Sequence, residues 1–306
     1  MTSLLDKGEW IKGIAHWREG DTAYISIAFS WRLLEGRRWA EYYRSVGCSR
    51  VIAGGPGAWT HVGRKVLRDV AEVPSIDGPG GRIPDTIARH NPMATRASYG
   101  CPVDCSFCIV SKMDGKTFTL LPDFPVRPVL CDDNLSALSL DYQKHIVARY
   151  IATDTPMLDC NSGFEPKTFD DEVFALWKPI IKGPWRFGFD EKTEGAEVRR
   201  VFKMLKDVSP RKKQVYTMIG HEPFEVCMDR IMSVIWHGGE PYAQPYMKLV
   251  ALTKDPAIMH DWTPLLLKQV QRYVNRHLWR GTGGAIRPFS EYNASAKTNP
   301  RPRKSA

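Results

Sequence analysis

The sequence predicts an α/β fold, a six-stranded parallel sheet curled as a partial (β/α) barrel with a small α/β unit ahead of it. Three observations predict it. From about residue 94 to 250, short apolar runs alternate with stretches of helical periodicity, the pattern of repeated βα units. Parallel strands joined by helical crossovers wind in one hand, so a sheet built this way curls. Residues about 22–58 carry a strand, helix and strand of their own, followed by a Pro- and Gly-rich stretch that reads as a linker.

In order, TAYISIAFS is β-rich, RLLEGRRWAEYYRSVG has helical spacing and stops at Gly47, and SRVIAGGPGAW is a buried strand running into a glycine turn. This is a βαβ-like unit of the doubly wound kind. Gly54, Gly55 and Gly57 could cradle a phosphate, but turn geometry and close packing explain them as well. In the larger unit ATRASYG is the first strand. PVLCDDN, PMLDCNSG, WRFGFD, KQVYTMIG and PYAQPYMKL follow, separated by four helices: 136–152, 170–181, 195–208 and 222–238. Leu138, Tyr142, Ile146 and Tyr150 keep the spacing of a face packed on a sheet. WTPLLLKQVQRYVNRHLWRG is a last amphipathic helix, suited to closing the sheet's open edge. The expected organisation is an α/β unit at 1–75, a linker at 76–93, the partial barrel with its helix at 94–292, and a disordered basic tail at 293–306.

The chain of 306 residues is 43% hydrophobic and 25% charged, enough for one large core with a small appendage. No apolar run reaches the eighteen or so residues of a membrane span, and the N-terminus lacks a secretory pattern. Seven cysteines, odd in number and mostly scattered, do not form a disulfide framework and suit a reducing cytoplasm. A net charge of +9 permits attraction to phosphates, and a solvated basic surface accounts for it equally.

The densest chemical signal is GCPVDCSFC, with Cys101, Cys105 and Cys108 in the spacing C-x3-C-x2-C. Three thiolates can hold three corners of a four-iron cluster and leave the fourth iron open. A zinc loop completed by a distant Cys131, Cys160, Cys227 or a histidine is the alternative. The spacing and flanking residues resemble the radical S-adenosylmethionine enzymes, over roughly residues 94–250. That resemblance implies a [4Fe–4S] cluster whose open iron chelates S-adenosylmethionine, reductive cleavage to a 5′-deoxyadenosyl radical, and hydrogen abstraction from substrate. It also implies a reductant such as flavodoxin or ferredoxin. VIAGGPGAW resembles the end of a cobalamin-binding domain, but the segment is short and no D-x-H-x-x-G motif occurs, so no cobalamin is expected.

Carried onto this chain, the resemblance sets the backbone of Phe107 against the adenine, with Ile219 and Gly220 near it. Asp132, Asp133 and Asn134 end the second strand, where the methionine ammonium would bind; a desolvated cation needs such a partner. Either aspartate could instead cap the next helix. Asn161 and Ser162 after the third strand, and Asp190 after the fourth, point toward cofactor ribose or substrate. The triplet Gly238–Gly239–Glu240 resembles the family's methionine-binding triplet but precedes the sixth strand, so it reads as a helix stop. His221, at a strand mouth, is a proton-transfer candidate, and Tyr246 and Lys248 are a candidate substrate pair by strand alternation. The histidines form no H-x-x-x-H or H-x-H pattern, and no G-x-S-x-G elbow suggests a hydrolase.

Two functions follow: a radical S-adenosylmethionine enzyme, or a cluster-bearing binding or electron-transfer protein without radical catalysis. For the enzyme, isolated Cys131, Cys160 and Cys227 speak against a second cluster, leaving hydrogen abstraction followed by rearrangement or elimination. By class and charge the chain is similar to viral enzymes that isomerise amino-acid-modified thymine in DNA hypermodification, which would act in a host cytoplasm. A small metabolite or a peptide is the alternative substrate.

Overall fold

The computed structural model describes residues 10–76, 81–83, 85–161 and 163–298. Ser162, parts of the linker and the expected disorder of 299–306 lie outside the described residues. The protein is a mixed α/β structure of small sheets, several with parallel pairs. It forms two compact units, the first reaching Arg186 and including Met247–Asp255, the second made of Phe187–Tyr246 and the chain from Pro256.

The first unit opens with β1 (Ile14–Glu19), β2 (Thr22–Ile27), α1 (Leu33–Ser45), β3 (Arg50–Gly54), α2 (Pro56–Trp59) and α3 (His61–Leu67). β2 and β3 pair in parallel across α1, as the strand–helix–strand reading expects. β1 pairs antiparallel with β2 and was not expected. Its IAHWRE lacks clean alternation, and the signal for it is the Gly20–Asp21 turn between two β-capable runs. Ile25, Ile27, Leu33, Ala40, Val51 and Ala53 form the core of this α/β part. A Cβ on Gly36 would fall 2.3 Å from Ile27 Cδ1, so a larger residue there would make the Ile27 side chain shift. At Gly55, with φ +89°, a Cβ would fall 2.7 Å from Ile27 O, so packing and turn geometry account for this glycine of the GGPG run.

The unit continues through α4 (Thr86–His90), β4 (Ala94–Thr95), β5 (Ser98–Tyr99), α5 (Val110–Met113), β6 (Thr119–Leu120), β7 (Val129–Leu130), α6 (Leu140–Ala152), β8 (Asp159–Cys160) and α7 (Asp171–Trp177). β4, β7 and β8 form a parallel sheet in sequence order, and β5 and β6 a small antiparallel pair. The Ser139 side chain caps α6 and Asp170 caps α7, each accepting from an amide three residues on. Tyr142, Ile146 and Tyr150 are buried, as their spacing predicts.

The second unit takes over within β9 (Trp185–Gly188) and adds α8 (Gly195–Met204), β10 (Lys213–Ile219), α9 (Phe224–Trp236), β11 (Glu240–Pro245), α10 (Pro264–Asn275) and α11 (Phe289–Thr298). Its sheet order is β11-β10-β9, again following the sequence, with β10 and β11 parallel. α9 ends as the GGE reading expects: Gly238, at φ +74°, donates to Ile235 O, and Gly239 donates to Val234 O. Glu240 is buried and paired with Arg280. α11 corrects one expectation. PFSEYN starts a helix that runs through Thr298, into the stretch taken as disordered tail; NASAKT tolerates helix, and the next proline is Pro300. Among the described residues, no helix is long and apolar enough to cross a membrane.

Candidate functional site

The cysteine motif lies on the loop between β5 and α5. Gly100 leads into it at φ +96°, where a Cβ would stand 2.3 Å from Thr117 O, so the entry bend requires glycine. Inside the loop, Cys101 N donates to Gly115 O (3.2 Å) and Cys108 N to Cys105 O (3.0 Å). Asp104 accepts from Ser111 (2.8 Å) and pairs with Lys116, tying the rim. Cys101, Cys105 and Cys108 are free thiols and half-buried, whereas Cys48, Cys131, Cys160 and Cys227 are buried in the core. Burial pushes the Cys108 thiol up, the Val110 amide opposes this, and Cys101 is near enough to add to it.

The loop thiols are not gathered as the ligands of a single zinc ion would be. Zinc would gather its sulfurs about 3.8 Å apart at a Zn–S distance of about 2.3 Å. Among the described residues, the trio of metal-capable groups lying within 4.8 Å of one another is His221, Glu222 and Cys227, not the loop thiols. Three thiolates on one loop are a donor set that could hold three corners of a larger cluster. Two of them already receive N–H groups, Cys101 from Asn134 Nδ2 (3.5 Å) and Cys108 from Val110 N (3.4 Å), as cluster sulfurs commonly do.

The CDDN strand end holds this loop in place. Asp132 is 0% exposed, and its two oxygens accept from Ala97 N (2.7 Å) and Ser98 Oγ (2.6 Å). Asp133 accepts from Gly100 N (2.9 Å) and pairs with Arg96 (3.1 Å). Burial raises both carboxyls, that of Asp132 to about 6. Neither aspartate caps the following helix, whose cap is Ser139. A pair of cations absent from the sequence reading completes the support. Arg96 and Arg82 stack on the Tyr99 ring, at 4.8 and 4.1 Å, and Arg82 pairs with buried Asp114 (2.6 Å). The signal for Arg96 is a cation in a strand of small residues, which must find a carboxylate once buried. Phe107 is half-buried on the same loop. Asn161, just past β8, donates its amide to Leu130 O (2.8 Å), and its side chain bonds the Cys131 thiol.

The second unit gathers another set of expected residues at the C-terminal ends of β9, β10 and β11. Asp190 Oδ1 accepts from Met218 N (2.8 Å), and its carbonyl faces His221 Nε2 (3.1 Å). Tyr246 N donates to Ile219 O (2.8 Å), and the Tyr246 and His221 rings stand 6.2 Å apart. Gly220, at φ +94°, makes the turn between them. Arg230 organises this end and was missed, since an arginine inside a helix looks like a surface residue. It is 2% exposed and donates to Phe189 O (2.6 Å), Met218 O (3.1 Å), Glu222 Oε2 (2.8 Å) and Cys227 Sγ (3.4 Å). The close trio of His221, Glu222 and Cys227 is therefore already served by a protein cation. Burial, then Arg230, lowers the His221 pKa, with Glu222 opposing.

Tyr246 and Lys248 differ from expectation. β11 ends at Pro245, so strand alternation does not reach them. Tyr246 belongs to the second unit, and Lys248 is exposed in the segment of the first.

No protein-family model matches the chain, and no curated protein matches it.

Proposed function

We propose that this protein is a radical S-adenosylmethionine enzyme. The observation that carries the reading is the half-buried C-x3-C-x2-C trio on a loop pinned by the strand end CDDN. The strand orders support it: β4-β7-β8 in the first unit and β9-β10-β11 in the second each follow the sequence, as successive βα repeats do.

Cys101, Cys105 and Cys108 hold the cluster as thiolates. When bound, cluster and S-adenosylmethionine supply one-electron reductive cleavage and hydrogen abstraction, chemistry no side chain provides. Asp133 is the carboxylate for the methionine ammonium, in preference to the fully enclosed Asp132, with Asn134 beside it. On the family resemblance, the first unit offers the backbone at Phe107 and Asn161 for the nucleoside or substrate, and the second unit offers Ile219, Gly220 and Asp190. In the second unit, His221, held by the Asp190 carbonyl, and Tyr246 are the candidates for handling protons at the substrate. A flavodoxin or ferredoxin supplies the electron. The proposed substrate is a modified thymine in DNA, rearranged by isomerisation; a net charge of +9 is compatible with a phosphate-bearing partner.

The test is anaerobic reconstitution followed by reduction with S-adenosylmethionine present. Release of 5′-deoxyadenosine supports the enzyme. A complete cluster that releases none leaves a non-catalytic iron–sulfur protein. Mass spectrometry of bases from cells expressing the protein with its genomic neighbours tests the substrate.

A further inference from the structure

α10 turns Leu267, Val270, Tyr273 and Val274 into the core of the second unit. Lys268, Arg272 and Arg276 are exposed on the other side, in a stripe stepping one turn at a time. Four residues at 1.5 Å each set successive cations about 6 Å apart along the axis. Gln271 and Asn275 lie between this stripe and the core, and the five residues line a groove of about 420 Å³. PLLLKQVQRYVN contains no acidic residue. Among the described residues no ion pair involves the three cations, whereas Arg230 and Arg280 in the same unit each hold a glutamate. Like charges four residues apart on a helix repel, so the isolated protein carries this stripe at a cost. A solvated helix face normally mixes both signs.

We infer that this face of α10 binds the sugar–phosphate backbone of a polynucleotide strand. Lys268, Arg272 and Arg276 each meet a phosphate, and the Gln271 amide reaches sugar or base edges. Asn275 is occupied elsewhere, bonding Ala243 N and O, and anchors the helix beneath the groove. A continuous anion of regular spacing fits three aligned cations better than a single small anion would. The inference rests on the nucleic-acid reading of the substrate and not on the cluster.

The experiment is fluorescence anisotropy of the full chain with a labelled single-stranded DNA across a salt series. The test variant is Lys268→Glu/Arg272→Glu/Arg276→Glu, with a milder Gln triple in case the first folds poorly. Arg199→Glu/Lys203→Glu/Lys206→Glu, exposed on and just past α8, matches the charge change of the Glu triple and controls for it. Expected is at least a tenfold loss of affinity for both α10 variants. The slope of log affinity against log salt should shrink by about 2, from three contacts at about 0.7 each. If the α10 variants lose no more than the α8 control while the wild type binds, the surface is wrong and the nucleic-acid reading stands. If the wild type binds no strand, or binds anionic vesicles instead, both readings fall and the cluster is untouched.

Discussion

Asn275 completes the backbone of Ala243: its Oδ1 accepts from Ala243 N at 2.7 Å and its Nδ2 donates to Ala243 O at 3.0 Å. Backbone groups alternate sides along a strand, and Tyr246 N faces β10 by bonding Ile219 O. Residues 241, 243 and 245 therefore face the free edge of β11. Two of them, Pro241 and Pro245, have no N–H to offer, and Asn275 takes the third. The edge is closed chemically, so β11 ends its sheet without inviting another strand.

Asn275→Leu should strand a buried amide and carbonyl, at about 1–3 kcal/mol for each group left unmade. The expected loss is about 2–6 kcal/mol by urea denaturation, with more aggregation on refolding. Asn275→Asp, keeping the acceptor, should lose less. A Leu variant as stable as the wild type would show that the edge does not need this side chain.

Iron content distinguishes the cysteines. About four irons per chain should bind after anaerobic reconstitution. Cys105→Ala/Cys108→Ala should abolish the brown chromophore, and Gly100→Ala should weaken it by forcing a Cβ toward Thr117 O. Variants of Cys131, Cys160 or Cys227 should keep it. Those thiols are buried, and burial pushes Cys131 and Cys160 up to about 12, far from the thiolate a metal needs. Loss of colour in a Cys160 variant would revise the ligand set.

The buried carboxyl of Asp132 should leave a mark on stability. Burial, opposed by Ser98 and Ala97, holds it at about 6 against an ordinary 3.8. The folded state then binds the proton more readily than the unfolded chain between about pH 4 and 6. Stability from this group is present at acid pH and falls by about 2–3 kcal/mol as pH rises through that window. His90 and His221 act in the other direction, since burial favours their neutral forms and stability falls as pH drops below 6.5. Comparing wild type with Asp132→Asn at pH 4, 5, 6 and 7 isolates the aspartate. A constant difference would mean that Asp132 stays ionised when buried.

Cofactor affinity should separate the two acidic strand positions. Asp133→Asn keeps an acceptor for Gly100 N and removes the charge, so S-adenosylmethionine binding should weaken roughly ten- to a hundredfold. Glu240→Gln should lower stability by weakening its pairing with Arg280 and leave binding unchanged. Calorimetry on both would decide, and loss in the Glu240 variant alone would require the strands to be reassigned.

The sequence by itself determined the longer strands and helices and the motif, but not β1 or the run of α11 to Thr298. Strands and helices are legible in windows of five to seventeen residues, because period and turn chemistry are local. The C-x3-C-x2-C spacing and the glycine stop after α9 are legible for the same reason. Tertiary structure decided what each polar side chain does. CDDN has the composition of a ligand set, a helix cap or a brace. Only the approach of Ala97, Ser98 and Gly100 shows that Asp132 braces the strand entering the cysteine loop and that Asp133 holds Gly100 at its start. Arg96 and Arg230 look like surface cations until burial pairs them with Asp133 and Glu222. A charge leaving water must take whichever partner the fold brings within reach, and that partner lies 37 residues from Arg96 and eight from Arg230, across turns that no local pattern encodes.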